Sequence, residues 1–334
     1  MSALSDEAEY PSPDVSFVVI GYNEARNIAA CLDSVRRCPL PRTTYELIYV
    51  DGGSTDGSRT IAEGVGVDLL LGGERRRRAA ENRNLGAKSA QGRYLQFIDG
   101  DMVLDPDWPA AAIGFLDLHP EVAAVYGNLQ EINTRILFRV MQLDWNPQEG
   151  PVATCGGAAM FRREAFEAAG GFPEDVRYGE EPLLCWRIRN EQKRLIYHLN
   201  RPMALHDIGF RHIEDYWRQY VRHGETYAEI AARCAGSDDP MWVRERTTNF
   251  GWALVLLLAV VVLITAPLSA KAVVAALVIL MVLRKTAQML RRGHGIAVSM
   301  GYAVFVYVSK IPLAWGQIKW SLSRKRNQSG QSAT

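Results

Sequence analysis

Short apolar runs alternate with amphipathic stretches in the first hundred residues of the chain. Apolar runs at 15–21, 45–51, 67–71 and 94–98 predict strands, and helical spacing predicts helices at 27–36, 58–63 and 78–90. Strands that alternate with helices are typical of a parallel sheet covered on both faces. The pattern therefore predicts an α/β fold, a Rossmann-like and mostly parallel sheet, in this part of the chain.

The hydrophobic pattern changes after about residue 245. Residues 250–266 carry no charged side chain, and a second apolar run at about 267–284 contains only Lys271 before it ends at a basic residue. Each run is close to the roughly 20 residues that a bilayer-spanning helix needs. Two such runs in tandem favour C-terminal transmembrane helices over a pair of buried core helices.

A third apolar stretch, 295–318, is interrupted by Lys310 and Pro312. The positive-inside rule places basic clusters in the cytosol, and placing all three clusters there requires an even number of crossings. We therefore expect two crossings and a third segment at the membrane interface, with three crossings as the alternative because 295–318 is long enough to span. The clusters are Arg244 and Arg246, then Arg284, Lys285, Arg291 and Arg292, then Lys319, Arg324, Lys325 and Arg326.

These patterns divide the chain into four regions. We expect a polar N-terminal segment at 1–13, a catalytic domain at 14–245, a membrane region at 246–320 and a basic polar tail at 321–334. The first thirteen residues are acidic and polar, which is not the composition of a signal peptide. The predicted location is the inner (plasma) membrane, multi-pass, with the catalytic domain in the cytosol.

Charge and cysteine content exclude several classes of protein. The formal net charge is +1, so no global field favours a nucleic-acid partner. The five cysteines are odd in number and form no CxxC pair, which argues against a disulfide framework or a zinc site and fits a reducing cytosol.

Polar residues follow three of the predicted strands where each strand ends. They form the sequences Gly21-Tyr22-Asn23-Glu24, Asp51 to Gly57, and Asp99-Gly100-Asp101. Each could be turn chemistry alone, but ligands bind beyond the carboxyl ends of parallel strands, so together they predict a site. The GxGxxG and GxxxxGK[ST] fingerprints are absent from the sequence. Asp99 and Asp101 repel each other when buried, so something must compensate their charge.

Seven motifs in order resemble the inverting family 2 glycosyltransferases, which have the GT-A fold. They are VVIGYNEARNI, YVDGGSTDGS, RAAENRNLGA, GRYLQFIDGDMVLDP, GGAAMFRREAFEAAGGF, GEEPLLCWRIR and LHD, and the resemblance runs from about residue 15 to 224. It implies that Mg²⁺ or Mn²⁺ bridges a nucleotide-sugar diphosphate to the protein. Asp101 would contact the metal directly, and Asp99 would reach the ribose or a metal-bound water. Oxygen ligands suit these hard cations.

The resemblance also implies the donor-binding residues. Tyr22 would face the base, with Asn23 and Glu24 lining its loop, and Asp51 would accept a hydrogen bond from a uracil-type ring. Arg78 also closes a run of four arginines, which is more typical of solvated surface. The complete predicted nucleotide-binding set is Tyr22, Asn23, Glu24, Asp51, Gly53, Arg78, Asn84, Asp99 and Gly100.

The acceptor side follows from the same resemblance. Inverting transfer needs a general base, and the family's acidic pair corresponds to Glu180 and Glu181, with Glu181 as the base. The alternative is that these acids only favour the N-terminus of a helix. His206 of the LHD motif would complete the metal site, or it is a structural histidine.

Gly157, Gln219 and Arg222 are predicted to contact the acceptor or the diphosphate. The sequence QYVRH resembles the QxxRW motif of processive synthases with tryptophan replaced by histidine, which argues against polymer synthesis. Arg218 and Arg222 share one helix face, so they could instead be solvated charges near anionic lipid.

The resulting expectation is a membrane-anchored glycosyltransferase. It would move one sugar from a nucleotide-sugar donor, a UDP-sugar foremost, to a lipid-linked saccharide or glycolipid acceptor. Three alternatives remain open: a polyprenyl-phosphate glycosyltransferase, a sugar nucleotidyltransferase, and a non-enzymatic membrane partner with a degenerate transferase fold.

Overall fold

The structure is a computed structural model that describes residues 13–40, 43–133, 135–210 and 212–331, with side chains described to Arg324 in the last helix. The predicted N-terminal segment, apart from residue 13, and the last three residues of the predicted tail lie outside these ranges. Packing divides the chain into two compact units. The first unit contains the residues up to 130 with 148–174 and 184–206, and the second contains 131–147, 175–183 and 207 onward.

A mixed sheet forms the centre of the first unit. Its strands follow the order β3-β2-β1-β4-β8-β6-β9-β5, with β7 paired to β9. The first four strands in this order are parallel, and β8, β5 and β7 pair antiparallel with their neighbours. The prediction of a mostly parallel α/β sheet is therefore confirmed around β1. The strands are β1 Val15–Gly21, β2 Tyr45–Asp51, β3 Leu69–Gly72, β4 Tyr94–Asp99, β5 Met102–Leu104, β6 Val122–Glu131, β7 Gly150–Val152, β8 Met160–Arg162 and β9 Leu195–His206.

Three helices follow the parallel strands β1, β2 and β3 nearly where the pattern placed them. They are α1 Ile28–Arg36, α2 Ser58–Val65 and α3 Ala79–Ser89. The pattern did not predict the next helices, α4 Trp108–Leu118, α6 Arg163–Ala168 and α7 Glu180–Glu191, the last beginning in the segment that packs in the second unit. The strand predicted at 67–71 instead begins at Leu69. Asp68 immediately precedes this strand, and its carboxylate accepts the Leu47 N–H of β2 at 2.7 Å.

Helix α3 lies directly on the parallel strands. A Cβ atom at Gly86 would come within 2.3 Å of Val18 Cγ1 and 3.1 Å of Val50 Cγ2, so only glycine permits this approach. In the core of this unit, Phe97, Phe161 and Phe172 are fully buried with ring centroids 5.2–6.2 Å apart. This packing places the start of α3 at the carboxyl ends of β1 and β2.

Helices make up most of the second unit. They are α5 Ile136–Met141, α8 Ile213–Arg233, α9 Val243–Thr265, α10 Leu268–Arg291, α11 Ile296–Val308 and α12 Lys310–Gln331. Helices α8 and α12 cross where Gly224 meets Gly316. A Cβ atom at Gly224 would lie 2.1 Å from the Leu313 carbonyl oxygen, and one at Gly316 would lie 2.0 Å from that of Val221. The two backbones are in contact because small residues permit it.

Three segments are long and apolar enough to cross a membrane, Val243–Thr265, Leu268–Arg291 and Ile296–Arg324. The first begins seven residues before the predicted 250–266, because helical geometry continues through the basic turn at 244–246. The third apolar stretch is not one straight helix, since it divides at Ser309, and α12 continues into the predicted polar tail.

Helix α11 packs in an aromatic and aliphatic cluster with α5 and α8. Val140 and Met141 of α5 and Tyr216 of α8 are buried there with Tyr302 and Phe305 of α11. The Tyr302 hydroxyl also donates to Asp144 at 2.7 Å. Because of these contacts, residues 207–245 pack with the apolar helices, and the predicted boundary at residue 245 does not coincide with a boundary between compact units.

Candidate functional site

A cavity of about 250 Å³ lies in the first unit at the carboxyl edge of the parallel strands. It brings together five of the predicted site residues, Tyr22, Glu24, Asp99, Gly100 and Asp101. Gly21, from the same predicted strand end as Tyr22, also lines it. The sequence analysis gave no site role to the remaining lining residues, most of which come from the start of α3 and the segment before it. These are Ile20, Arg76, Arg77, Ala79, Asn82 and Arg83.

The Asp99-Gly100-Asp101 turn forms one wall of this cavity. The Gly100 N–H donates to the Ile20 carbonyl at 2.8 Å, which ties the turn to the end of β1. Asp101 Oδ1 is buried and has no hydrogen-bond partner among the described residues. Its other oxygen lies 3.5 Å from His206 Nε2, because the pairing of β5 with β9 sets Met102 opposite His206.

Asp99 is held by an arginine that the sequence analysis missed. Arg83 Nη2 lies 2.7 Å from Asp99 Oδ1, and the Arg83 side chain is only 4% exposed. A Cβ atom at Gly157 would lie 2.0 Å from Arg83 Nη2, so the guanidinium occupies the space that a side chain there would fill. A signal for Arg83 was present, because it shares the buried stripe of α3 with Ala80 and Ala87, and a buried charge needs a partner.

Glu24 is the third carboxylate at this wall. Burial raises the pKa of Glu24 to about 7, and the negative charges of Asp101 and Asp99 act in the same direction. A Cβ atom at Gly100 would lie 3.3 Å from Glu24 Cγ, which shows how closely the acid approaches the turn. Among the described ion pairs of these three acids, only Arg83 supplies a permanent positive charge, so negative charge is concentrated at this wall of the cavity.

A hard divalent cation fits these residues. Asp101 Oδ1 is a buried acceptor without a hydrogen-bond partner among the described residues. Carboxylate oxygens, together with an imidazole, are suitable ligands for Mn²⁺ or Mg²⁺. Over the described ranges, no three His, Cys, Asp or Glu side chains form a ready-made cage. A cation at Asp101 would therefore fill its coordination sphere with water and with oxygens of a bound ligand, as Mg²⁺ commonly does.

The loops after β1 and β2 are joined by hydrogen bonds. Asn23 N–H donates to Ser54 Oγ and its side-chain oxygen accepts the Thr55 N–H, both at 2.9 Å. Asp51 is 1% exposed, and its Oδ2 accepts the N–H groups of Gly53 and Ser54 at 3.0 and 2.9 Å. Asn23, Asp51 and Gly53 thus hold the loops in shape, and none of the three lines the cavity.

The arginines before α3 contact two different parts of the first unit. The Arg76 guanidinium stacks on the Tyr22 ring, 3.4 Å from its centroid, and Arg76 lines the cavity. Arg78 instead donates to the Glu174 carbonyl. Asn84 bonds the backbone of Phe172 at 2.8 and 2.9 Å. The structure therefore places the predicted residues Arg78 and Asn84 outside the lining of the cavity.

The predicted acceptor-side residues lie in the second unit, apart from Gly157. Glu180 and Glu181 form the first turn of α7, immediately after Gly179, whose φ of +93° favours glycine. On α8, Gln219 Nε2 lies 3.1 Å from His223 Nε2, and Arg222 is exposed.

A larger cavity, of about 610 Å³, lies in this unit beside the segment that leads to Glu180. Tyr178 and Arg177 line it from that segment, and Trp320 and Arg324 line it from α12. Arg233 within it is paired with Asp175 at 2.6 Å and with Glu229 at 2.7 Å. Its walls therefore combine aromatic rings, carboxylates and guanidinium groups.

Comparison with known proteins identifies related chains. Residues 16–170 match the model of the family described as "Glycosyl transferase family 2". The chain is 36% identical over 101 residues to glycosyltransferase AglE of Haloferax volcanii, covering 29% of this chain and 33% of that one. It is 26% identical over 239 residues to a poly-beta-1,6-N-acetyl-D-glucosamine synthase of Staphylococcus epidermidis, covering 66% of this chain and 56% of that one. This chain therefore spans a third to just over half of the length of these two relatives.

A solved structure has a similar fold over most of the chain. Mannosyltransferase PcManGT from Pyrobaculum calidifontis, in complex with GDP-Man and Mn²⁺, has a TM-score of 0.64 and 22% sequence identity. The similarity covers 90% of this chain and 88% of that one.

Proposed function

We propose, from the match of residues 16–170 to the glycosyl transferase family 2 model, that the chain is a membrane-anchored inverting glycosyltransferase. It transfers one sugar from a nucleotide-sugar donor, a UDP-sugar foremost, to a lipid-linked saccharide or glycolipid at the cytosolic membrane face. The observation that carries the proposal is Asp101 Oδ1, a buried acceptor without a partner among described residues, in a cavity at the sheet edge.

The donor diphosphate is proposed to bind at the Asp99-Gly100-Asp101 turn. A divalent cation there supplies charge stabilisation to the departing nucleoside diphosphate. Asp101 and His206 are the residues that would hold it, and Asp99 orients the donor from its fixed position against Arg83. The complex of PcManGT with GDP-Man and Mn²⁺ supports this assignment by analogy.

Glu181 is proposed as the general base that takes the proton of the acceptor hydroxyl. It lies in the first turn of α7, and inverting transfer needs a carboxylate of this kind to take the proton of the attacking hydroxyl. Glu180 beside it would position the acceptor or the base. Substitution of each acid in turn tests the choice between them.

A membrane-bound acceptor is supported by the second unit. Trp320 and Arg324 line the 610 Å³ cavity from the end of the third apolar segment, so a ligand there would lie close to the headgroup level. The guanidinium of Arg324 lies 5.2 Å from the Trp320 ring centroid, and the side chain of Arg177 is 70% exposed. Aromatic rings and accessible cations suit a phosphorylated saccharide head group.

The same cations favour one second candidate, transfer to a polyprenyl phosphate. A phosphate nucleophile is already ionised and needs no strong base, so this candidate predicts that activity survives loss of the Glu181 carboxylate. Transfer of single sugars rather than polymer growth is proposed because His223 replaces the tryptophan that the processive motif carries.

The test is donor turnover by the purified full chain reconstituted in vesicles. UDP- and GDP-sugars would each be incubated with Mn²⁺, in vesicles with and without a polyprenyl-linked saccharide, and nucleoside diphosphate release would be measured. We expect one donor to be consumed, with release stimulated by the lipid-linked acceptor and abolished by a chelator. No turnover of any donor, under conditions where the chain binds vesicles and remains folded, would contradict the proposal.

A further inference from the structure

The segment 175–183, which leads into α7, is attached to helix α8 by two ion pairs inside the second unit. Asp175 Oδ2 lies 2.6 Å from Arg233 Nη1, near the end of α8. Two residues later in the segment, Arg177 Nη1 lies 3.9 Å from Glu225 Oε2, in the middle of α8. Alternate residues of the segment are therefore held by separate charged side chains of one helix.

Gly179, the residue immediately before α7, makes a third attachment to α8. A Cβ atom at Gly179 would lie 2.7 Å from Thr226 Cγ2 and 3.2 Å from Ile230 Cγ1, so its backbone packs directly on the helix. The Gly179 carbonyl also accepts the Leu183 N–H at 3.2 Å, in the first turn of α7. Because Glu181 follows Gly179 by only two residues, the contact with α8 determines where the proposed base lies within this unit.

Helix α12 contacts the same acids of α8 from the other side of the network. Lys319 Nζ lies 2.9 Å from Glu225 Oε1, and the Trp320 indole N–H donates to Glu229. Glu229 is in turn paired with Arg233, whose Nε lies 2.7 Å from Glu229 Oε1. Two rows of polar contacts therefore run from neighbouring residues of α12, through α8, to the segment before α7. They are Lys319–Glu225–Arg177 and Trp320–Glu229–Arg233–Asp175.

Each row depends on one charged side chain that has two partners of opposite charge. The side chain of Glu225 is 9% exposed and is paired with Lys319 and Arg177. That of Arg233 is 33% exposed and is paired with Asp175 and Glu229. Exposed ion pairs contribute little, whereas removing one member of a buried pair leaves a charge without compensation. A substitution at Glu225 or Arg233 should therefore loosen the segment from α8.

We propose that Arg233 and Glu225 are positioning residues for sugar transfer, an inference that rests on the proposed function. They hold the segment 175–183 on α8 and so fix the Glu181 carboxylate where it takes the proton of the acceptor hydroxyl. A general base must lie within hydrogen-bond reach of that proton, and a small displacement of the base slows the chemical step. Both residues act through Glu181 and not on the reacting atoms.

A double-mutant cycle on sugar transfer by the full chain in vesicles tests the inference. The probes are UDP-N-acetylglucosamine and GDP-mannose, each with Mn²⁺ and a polyprenyl-linked N-acetylglucosamine. Arg233→Gln should lower kcat roughly tenfold and leave the donor KM unchanged, because it misplaces only the base. The same change in a Glu181→Gln chain should cost nothing further, since no base is left to position. Arg233→Lys, which keeps the positive charge, should recover part of the loss.

Two further variants approach the same contacts from their other ends. Glu225→Gln should lower kcat in the same direction as Arg233→Gln. Asp175→Asn should do so too, and its side chain is 65% exposed, so the change is a mild one for the fold. The matched control is Glu164→Gln, which breaks a 2.8 Å pair with Arg194 in the first unit at a carboxylate that is 72% exposed. This control should leave kcat unchanged.

Equal losses from Arg233→Gln with and without the Glu181 carboxylate would assign Arg233 a general structural role and overturn the inference. Unchanged kcat in both Arg233→Gln and Asp175→Asn would overturn it as well. If a thermal melt shows that Arg233→Gln unfolds, the same cycle with Asp175→Asn decides. Full activity of Glu181→Gln would remove the base assignment and the inference with it. A wild-type chain that transfers neither sugar would remove the proposed function itself.

Discussion

Arg83 and Asp99 form an ion pair of 2.7 Å at the start of the acidic turn, and the pair exists because residue 157 has no side chain. Arg83 comes from α3, Asp99 ends β4, and Gly157 precedes β8, so three separate elements determine the position of one carboxylate. The interaction offsets one of the three negative charges beside the cavity. It leaves Asp101, whose Oδ1 has no partner within the described chain, to face a ligand.

The first prediction concerns Gly157. Gly157→Ala should displace the Arg83 guanidinium and shift Asp99, which we expect to lower sugar transfer roughly 10²-fold, because small misplacements in a reacting site are costly. Gly156→Ala is the matched control, since a Cβ atom at Gly156 would meet no atom within 4 Å. Initial rates and thermal melts of both variants make the comparison. Equal rates for the two variants would show that Gly157 does not act through Arg83.

The second prediction concerns the ionisation of Glu24. Burial, with Asp101 and Asp99 nearby, raises its pKa from 4.5 to about 7 in the folded protein. Between these values the folded state binds more protons than the unfolded state, so metal-free stability should fall as pH rises from 4.5 to 7. Glu24→Gln should remove that loss, giving a more stable protein than wild type above pH 7 and little difference below pH 4.5.

Chemical denaturation in the presence of a chelator, at pH values across this range, is the measurement. A difference between wild type and Glu24→Gln that does not change with pH would contradict the cause given for the raised pKa.

The third prediction separates the two acids of α7. Glu181→Gln should lower turnover by roughly 10²–10⁴-fold at saturating donor, as loss of a general base does, whereas Glu180→Gln should be milder. Donor affinity should change little in either variant. Initial rates for the pair, with donor binding measured alongside, test the assignment. A larger effect of Glu180→Gln would reverse the two roles, and full activity of Glu181→Gln would favour a phosphate acceptor.

Local sequence patterns were sufficient for much of the fold around this site. Continuous apolar runs predicted β1, β2 and β4. The acidic turn at 99–101 was also evident from the sequence, because a strand can end without two carboxylates close together. Hydrophobic periodicity is a local property, so it also located the apolar helices, although α9 begins seven residues earlier and α10 ends seven residues later than predicted.

Contacts between distant segments could not be predicted in the same way. The partner of Arg83 is sixteen residues away on another element, and Arg233 pairs with Asp175 across 58 residues of sequence. The grouping of 131–147 and 175–183 with the C-terminal helices depends on contacts such as Tyr302 with Asp144, which are 158 residues apart.

The fourth prediction concerns topology. The face of α12 that meets α8 carries Gly316, Lys319 and Trp320, with Lys319 paired to Glu225 at 2.9 Å and the Trp320 indole donating to Glu229. These polar contacts favour a third segment at the interface, with two crossings made by α9 and α10. The C-terminus should then be cytosolic.

Cysteine labelling tests this with Ser332→Cys in a background that lacks the native cysteines. An impermeant reagent added outside intact cells should not label the variant, whereas it should after the cells are lysed. Labelling from outside would mean three crossings.

The central claim is tested most directly by sugar transfer itself, comparing the wild-type chain with Asp101→Asn in the same vesicles. The measurement is incorporation of a radiolabelled sugar from its nucleotide into the lipid-extractable fraction, with Mn²⁺ and with a chelator. We predict incorporation by the wild type that depends on Mn²⁺. Asp101→Asn should give none, although it remains folded, because removing a metal ligand costs several kcal/mol of charge stabilisation. Equal incorporation by the two proteins, or incorporation that persists in the chelator, would contradict a metal-dependent transferase centred on Asp101.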